Sequence, residues 1–306
     1  MRKVEQGRRR LLSGAHKLHW GARVVGVRVT AAGVVRYAWV RLRRPSSIEV
    51  RLSSGGSLIT DVPGQLVPAL VVFGDLIDPE YPLLRRLAAP EWVVVDVGAA
   101  IGQFTVFAAR LGVRAVHACE PSDSNLASLR RNLEQNGVAD RVDVHRLALS
   151  NTTGEARFAT AATTYMSRLD RAASSNGQDD PLVPVRLLSD VAATWHLDRI
   201  DVLKVNVAGF EPRVLEGADA LFAAGAVDIV IALIGGPSLD CYRRMAGFGY
   251  RFFFFDPRQD LLHEVVRIDD RLLEWRPSPA RHVIAIHRNA LARNVHGGLR
   301  IVPGPA

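Results

Sequence analysis

The sequence predicts an α/β protein: a doubly wound, Rossmann-like sheet of seven strands, the last one antiparallel, behind an N-terminal extension of a β-hairpin and helices. Three observations predict it. From residue 91 onward, short runs of β-branched apolar residues alternate with helical patterns, the mark of a parallel sheet covered on both faces. The run Val93-Val94-Val95-Asp96-Val97 ends in Gly98-Ala99-Ala100-Ile101-Gly102, which reads as a buried strand, a tight turn and a helix start. The interval 256–280 leaves no room for a long crossover helix, so a final strand over 281–287 returns antiparallel beside the one before it.

The elements follow in order. Strand one covers 92–97 and its helix 102–111. Strand two is 114–119, followed by a helix over 122–136 that starts at serines and stops at Asn136-Gly137. Strand three is 141–147. A hairpin is expected next, with Asn151-Thr152-Thr153-Gly154 as its turn and 155–159 as its return. Residues 160–181, rich in Ala, Ser, Thr, Asn and Asp, read as a mobile loop. A strand near 183–187 and a short helix over 189–195 precede strand four at 201–206. A helix over 210–223, strand five at 227–233, a helix over 238–247 and strand six at 250–255 complete the series. Upstream, Ile48, Val50 and Leu52 alternate before Ser53-Ser54-Gly55-Gly56, and Leu58 and Ile59 follow, which predicts a hairpin. Residues 64–88 read as helical, and 23–43 fit either a strand pair or an amphipathic helix. The division is a basic arm (1–44), an extension (45–90), a main domain (91–290) and a flexible tail (291–306), frayed over 297–306.

Glycines four apart at a strand-to-helix turn let backbone approach a ligand, and the N–H groups of the helix start face it. A second acid, Glu120, ends the next apolar run, where nucleotide-binding α/β folds hold ribose hydroxyls. Dinucleotide sites want G-x-G-x-x-G. Here the pattern is D-x-G-x-x-x-G, which fits the looser loop of S-adenosylmethionine (SAM) enzymes. Asp96 is expected at the methionyl portion, Gly98, Ala99 and Gly102 shape the loop, and Glu120 would take ribose hydroxyls in a bidentate way. Pro121 follows it, and 143–147, with Leu147 at its end, lie where the adenine edge would rest. A close-packed turn without a ligand, and an N-capping role for Glu120, are the plainer alternatives.

Composition bounds the rest. The chain has 306 residues, 48% of them hydrophobic and 23% charged, as in globular proteins. No run is long enough to span a bilayer, and no signal peptide is evident, so a cytoplasmic protein is expected. Cys119 and Cys241, without metal-type spacing, point to no metal, and Cys119 reads as an inert core thiol. Residues 1–44 hold twelve Lys/Arg against one acid, a net of +11, while the remainder carries −3. Such an arm is either a solvated tail or a weak contact for anionic membrane. Nucleic acid is not expected, since no base-stacking pattern accompanies the charge.

Taken together, Val95-Asp96-Val97-Gly98-Ala99-Ala100-Ile101-Gly102, Glu120-Pro121, Ala148-Leu149-Ser150 with Gly154, Leu203-Lys204-Val205-Asn206-Val207-Ala208-Gly209-Phe210-Glu211 and Val214-Leu215-Glu216-Gly217-Ala218 resemble the FkbM family of SAM-dependent methyltransferases. The resemblance runs from about residue 45 to 255. It implies the seven-stranded methyltransferase sheet, SAM as cofactor with Ala148 among the binding positions, and O-methylation of a small hydroxylated or glycosylated substrate. This chain departs from the family pattern at three places, one of them the end of strand five, where an acid is common and Ile231-Ala232-Leu233-Ile234-Gly235-Gly236 stands. Where the family reads K-x-D-V-E-G, Asn206 replaces the Asp and Ala208 the Glu, and Ala100 stands where Asn is common.

A hydroxyl acceptor gains from a base, and neither Asn206 nor Ala208 can serve as one at neutral pH. Asn206 can orient a hydroxyl. Glu211, one turn into the next helix, is either a base or an acid stabilising that helix start. His145 is either a base or a satisfied structural histidine, and Thr163, Thr164 and Tyr165 either line an acceptor pocket or belong to a plain loop. Lys204 either holds an anionic group of cofactor or substrate or forms an ion pair. Three readings of function remain: a small-molecule O-methyltransferase, a degenerate relative that binds SAM or its product without catalysis, and a nucleic-acid methyltransferase using the basic arm, which the lack of an N/D-P-P-Y/F segment disfavours.

Overall fold

The computed structural model describes residues 22, 25–52, 55–64, 67–78, 80–159, 168–170, 181–207, 209–233, 236–269, 282–294 and 300–304. Most of the arm, the 163–165 segment, Ala208 and all of 270–281 lie outside these residues.

Parallel strands β3 (Val93–Val97), β4 (Ala115–Cys119), β5 (Val142–His145), β10 (Ile200–Val205) and β11 (Val227–Leu233) form the centre of a sheet ordered β15-β13-β12-β14-β11-β10-β3-β4-β5. β14 (His282–His287) lies antiparallel between β11 and β12 (Tyr250–Asp256). The predicted last strand is therefore antiparallel, but the sheet has nine strands among the described residues, not seven. Two short strands extend it: β13 (Leu261–Glu264), antiparallel to β12, and β15 (Ile301–Pro303), parallel to β13. The second corrects the frayed tail. Ile301 packs on the core, and Leu262 N donates to Arg300 O, so edge pairing and burial order a segment whose Gly and Pro suggested otherwise.

β3 and β10 are buried on both faces. Val94, Val116 and Val202 face helices α4 (Gln103–Arg110) and α5 (Asp123–Gln135), through Phe107, Leu129 and Leu133. Val95, Leu203 and Val230 face the opposite layer, built from α6 (Leu188–Thr194), α7 (Glu211–Glu216), α8 (Asp219–Ala223) and α9 (Leu239–Gly247). This is the two-layer covering that near-continuous apolar strands require. The predicted helix over 210–223 is two helices. A Cβ at Gly217 would stand 2.0 Å from Ser150 O, and Ser189 N takes the Gly217 carbonyl, so the chain turns there instead of continuing.

The expected hairpin at 148–159 is also different. β6 (Ala148–Leu149) and β7 (Gly154–Ala159) both pair with β9 (Leu182–Arg186), which lies between them in a separate four-stranded sheet closed by β8 (Arg168–Asp170). The turn sequence is present, but the apolar Val183 and Val185 bury against Ala148 and Phe158, and this packing places β9 in the middle.

In the extension, β1 (Ser47–Arg51) and β2 (Ser57–Asp61) form the expected antiparallel hairpin. The 23–43 ambiguity resolves as helix α1 (Val27–Arg43), which crosses α2 (Val67–Phe73) at Gly33, where a Cβ would meet Val72 O at 2.3 Å. A 3₁₀ turn (Gly74–Ile77) then leads to α3 (Tyr81–Leu87). The hairpin docks on α5 through side-chain amides that act as a substitute strand. Asn132 accepts from Ile59 N (2.8 Å) and donates to Ile59 O (3.2 Å), while Asn136 does the same with Ser57 N (2.9 Å) and O (2.7 Å). Asn132 also donates to Ile101 O in the glycine loop at 2.8 Å. Replacing this fully buried side chain by alanine strands three backbone groups. Asn132→Ala is expected to lower stability by about 2–4 kcal/mol, read from the urea midpoint at unchanged slope.

Candidate active site

The loops at the C-terminal edge of the sheet are joined to one another strand by strand. Cys119 O accepts from Gly98 N (2.9 Å) and Ala99 N (3.1 Å), Val97 O from Asn206 N (3.1 Å), and His145 O from Glu120 N (3.1 Å). The edges of β3, β4, β5 and β10 thus form one hydrogen-bonded rim. Gly98 has φ +82°, and a Cβ there would meet Asn206 O at 2.3 Å, so the turn admits only glycine. Gly102 has φ +94° and lies against Leu129. Ala100 also takes a left-handed conformation, φ 49°, costing about 1 kcal/mol for a residue with a Cβ.

Glu120 fastens the rim. Its Oε2 accepts from Ala100 N at 2.9 Å, and its Oε1 accepts from Ser122 N at 3.0 Å and Asn125 Nδ2 at 3.1 Å. The glycine loop and the acid therefore lie together, as a nucleoside site requires. The bidentate ribose grip expected from sequence does not fit this geometry. A carboxylate has about four acceptor positions, and three are taken, leaving one on Oε2. The N-cap of α5 is Ser122, whose side chain accepts from Asn125 N, and not Glu120, which supports the cap residue through Ser122 N. Burial pushes the Glu120 carboxyl up, and its three donors oppose that.

Asp96 lies beneath the loop, buried, with Oδ2 accepting from Thr105 Oγ1 at 2.6 Å. Burial raises its pKa to about 6, against the hydrogen bond from Thr105 and the charge of Lys204. Of the remaining rim residues, Pro121 and Leu147 are half-buried after β4 and β5. Ala148 turns away into the small core with Phe158 and Val185, because β6 pairs with β9. Asn206 is half-buried at the end of β10.

Glu211 and Lys204 are occupied within the protein. Glu211, 3% exposed, accepts from Val207 N (2.9 Å) and Gly209 N (2.8 Å), so both oxygens brace the turn before α7. Lys204, paired in register with Asp96, is 2% exposed, and its Nζ donates to Glu80 Oε1 at 2.8 Å. The ion-pair alternative for Lys204 is the one observed. Asp78 Oδ2 lies 3.9 Å from the same ammonium and accepts from Tyr81 OH (3.1 Å) and Gln103 Nε2 (3.1 Å), while His282 Nε2 lies 3.4 Å from it. Asp78, Glu80 and His282 have the donor types of a cation site, and the cation among them is the lysine ammonium. Burial alone would push Glu80 up, but His282 and Lys204 hold its carboxyl well below the carboxylate range. Burial disfavours the Lys204 ammonium, yet Asp78 and Glu80 keep its pKa above the ordinary lysine value.

Sequence reasoning missed Asp78, Glu80, Tyr81, Gln103, Thr105 and His282. One signal was available: Asp75, Asp78 and Glu80 fall in a short stretch between two apolar helical runs, and acids flanked by core sequence on both sides are buried with partners or not at all. His145 is a packed histidine. It stacks on Trp195 (centroids 4.1 Å apart) and its Nε2 lies 3.2 Å from His117 Nδ1. Burial lowers both histidine pKa values. The Cys119 thiol is pushed up by burial, as expected of an inert core residue.

Two predictions follow from these charges. The folded state holds the Asp96 proton more tightly than the unfolded chain does, so stability falls as pH rises from 3.8 to about 6. Asp96→Asn removes that fall and is expected to gain about 3 kcal/mol over the wild type at pH 7 but not at pH 4, by urea denaturation. Lys204→Met leaves buried Glu80 with His282 but without its ammonium partner and is expected to cost about 3–5 kcal/mol, of which Lys204→Met with Glu80→Gln recovers a measurable part in a double-mutant cycle.

The family model described as the methyltransferase FkbM domain matches residues 96–257. The chain is similar to 31-O-demethyl-FK506 methyltransferase FkbM of Streptomyces tacrolimicus, with 32% identity over 160 residues that cover 42% of this chain and 60% of that protein. It is also similar to a tRNA wybutosine-synthesizing protein 2 homolog of Rattus norvegicus, 48% identical over 66 residues, which are 20% of this chain and 15% of the relative. This chain thus spans less than a fifth of that relative's length. Among solved structures, a methyltransferase FkbM from Methylobacillus flagellatus aligns with 88% of this chain and 60% of its own at a TM-score of 0.42 and 17% identity. The family match begins at Asp96, covers each of the joined edge loops and ends just beyond β12, more than half of the sequence, and the chain belongs to the FkbM methyltransferase domain family.

Proposed function

We propose that this chain is a SAM-dependent O-methyltransferase whose acceptor is a hydroxyl of a small metabolite, a sugar or a glycosylated natural product. One observation carries the reading. Glu120 and the 98–102 loop form a single unit at the C-terminal edge of the sheet, joined at 2.9 Å, with one carboxylate acceptor position left over. That position suits one ribose hydroxyl. Gly98 and Gly102 let the loop pack directly on the Asn206 carbonyl and on Leu129, which holds its backbone in place at the strand ends, and Asp96 below them gains ionisation when a positive charge sits nearby. The S. tacrolimicus relative, named for a 31-O-demethyl substrate, supports an oxygen acceptor.

Bound there, the cofactor would supply a methyl group on a positively charged sulfur. The chain's own residues hold and orient. Glu211 and Lys204 have positioning roles: one fixes the 207–209 turn, the other anchors the extension below the rim. Asn206 is the remaining member of the three candidates, and its amide orients the acceptor hydroxyl without taking its proton. Rate enhancement then rests mainly on in-line placement of donor and acceptor, with the proton passing to solvent.

An RNA acceptor is a second reading, favoured by one observation, the 48% identity over 66 residues to the tRNA wybutosine-synthesizing protein homolog. Calorimetry with SAM tests the cofactor role, and Glu120→Ala is expected to weaken binding at least about tenfold. Equal binding by the variant would refute the ribose assignment. Methyl transfer is then measured on hydroxylated small molecules and on tRNA transcripts, with Asn206→Asp and Ala208→Glu alongside. The wild type is expected to methylate a hydroxylated small molecule. Transfer to tRNA alone would establish the second reading, and transfer by the restored variants alone would make this chain a non-catalytic SAM binder.

A further inference from the structure

Helix α1 buries one side and leaves the other bare. Thr30, Gly33 and Val40 are buried, and Tyr37 and Val40 pack with Val67 and Val71 in a small core under the helix. Arg36 Nη2 reinforces this side by donating to Val71 O at 3.3 Å. Opposite them, Val27 is 71% exposed, Val35 70%, Trp39 56% and Leu42 80%, with Val34 beside them at 39%. At 3.6 residues per turn these five fall within one arc of about 140°, an apolar stripe interrupted by Arg28, which falls between Val35 and Trp39. An apolar stripe of this kind on the outside of a packed domain calls for a partner.

The charges around the stripe identify the partner. Arg28 lies inside the stripe beside Trp39, Arg43 flanks that margin and Arg41 the other, and Arg44 closes the helix end. No acid occurs between Glu5 and Glu49. A second copy on this face would bring two sets of these arginines together without a counter-charge. RNA would use the arginines but would leave Val27, Val35 and Leu42 in contact with water or phosphate. A bilayer with anionic headgroups satisfies both parts: aliphatic side chains enter the acyl boundary, arginines extend to phosphates, and Trp39 sits at the interface.

We infer that α1 is a membrane-surface helix that docks this protein on an anionic bilayer, lying in the interface plane without crossing it. No helix among the described residues is long and apolar enough to span a membrane. The inference is independent of the methyl-transfer reading, because α1 contributes no residue to the rim.

The test is flotation of the full chain with vesicles of phosphatidylcholine alone or of equimolar phosphatidylcholine and phosphatidylglycerol. The expected result is binding to the anionic vesicles, reduced by high salt, and lowered at least about tenfold by Val35→Asp with Leu42→Asp. Both side chains are solvent-exposed, so the variant is expected to keep the wild-type melting temperature, and Val35→Leu with Leu42→Ile is expected to restore vesicle binding. Absence of binding to the anionic vesicles, or equal binding by the aspartate variant, overturns the inference. So does a wild-type dimer on gel filtration that the aspartate variant abolishes, or tRNA binding lost in that variant without any vesicle binding.

Discussion

An ammonium and a carboxylate 2.8 Å apart, both withdrawn from water, govern how the two parts of this chain meet. Lys204 projects from the middle of the sheet, beside Asp96, toward the layer that the helices cover. Left alone there it would be prohibitively desolvated. Glu80 and Asp78, delivered by the segment between α2 and α3, supply the counter-charge, and Tyr81 and Gln103 satisfy Asp78 in turn. The N-terminal extension is therefore no optional appendage. Its acids neutralise a charge in the main domain, and the main domain's lysine makes burial of those acids tolerable.

From this anchor the rim takes its shape. Tyr81 stacks flat on Phe107 of α4, centroids 3.9 Å apart, while Gln103 at the first turn of α4 reaches back to Asp78. The helix that follows the glycine loop is thus held at its start from below, by Thr105 on Asp96, and from the side, by Gln103 on Asp78. Glu120 and Asn132 hold the loop backbone itself, at Ala100 N and Ile101 O. A loop fixed at four points loses little conformational entropy when a ligand arrives, which is the physical meaning of a preorganised site.

The structure explains one residue that the family motif keeps and none of those that depart from it. Glu211 is retained because the 207–209 turn has backbone N–H groups that need an acceptor, and both of its oxygens meet that need. Nothing in the structure explains why Asn206 stands in place of an acid.

The sequence by itself determined the sheet's strands, the glycine loop, the acid that meets it and the N-terminal hairpin, because each is local. Near-continuous apolar runs bury strands on both faces, only glycine accepts the approach at Gly98, and a strand end next to a helix start places Glu120 near the loop. Tertiary structure alone decided what was long-range. The intercalation of β9 between β6 and β7, the two added edge strands and the partners of Lys204 depend on residues far apart in the chain that share a core. Side-chain commitments belong to this second class. A sequence shows that Glu120, Glu211 and Lys204 are charged and near the site, but the number of acceptor positions left on a carboxylate, or the acid facing an ammonium, is set by which backbone and side-chain groups the fold brings within about 3 Å.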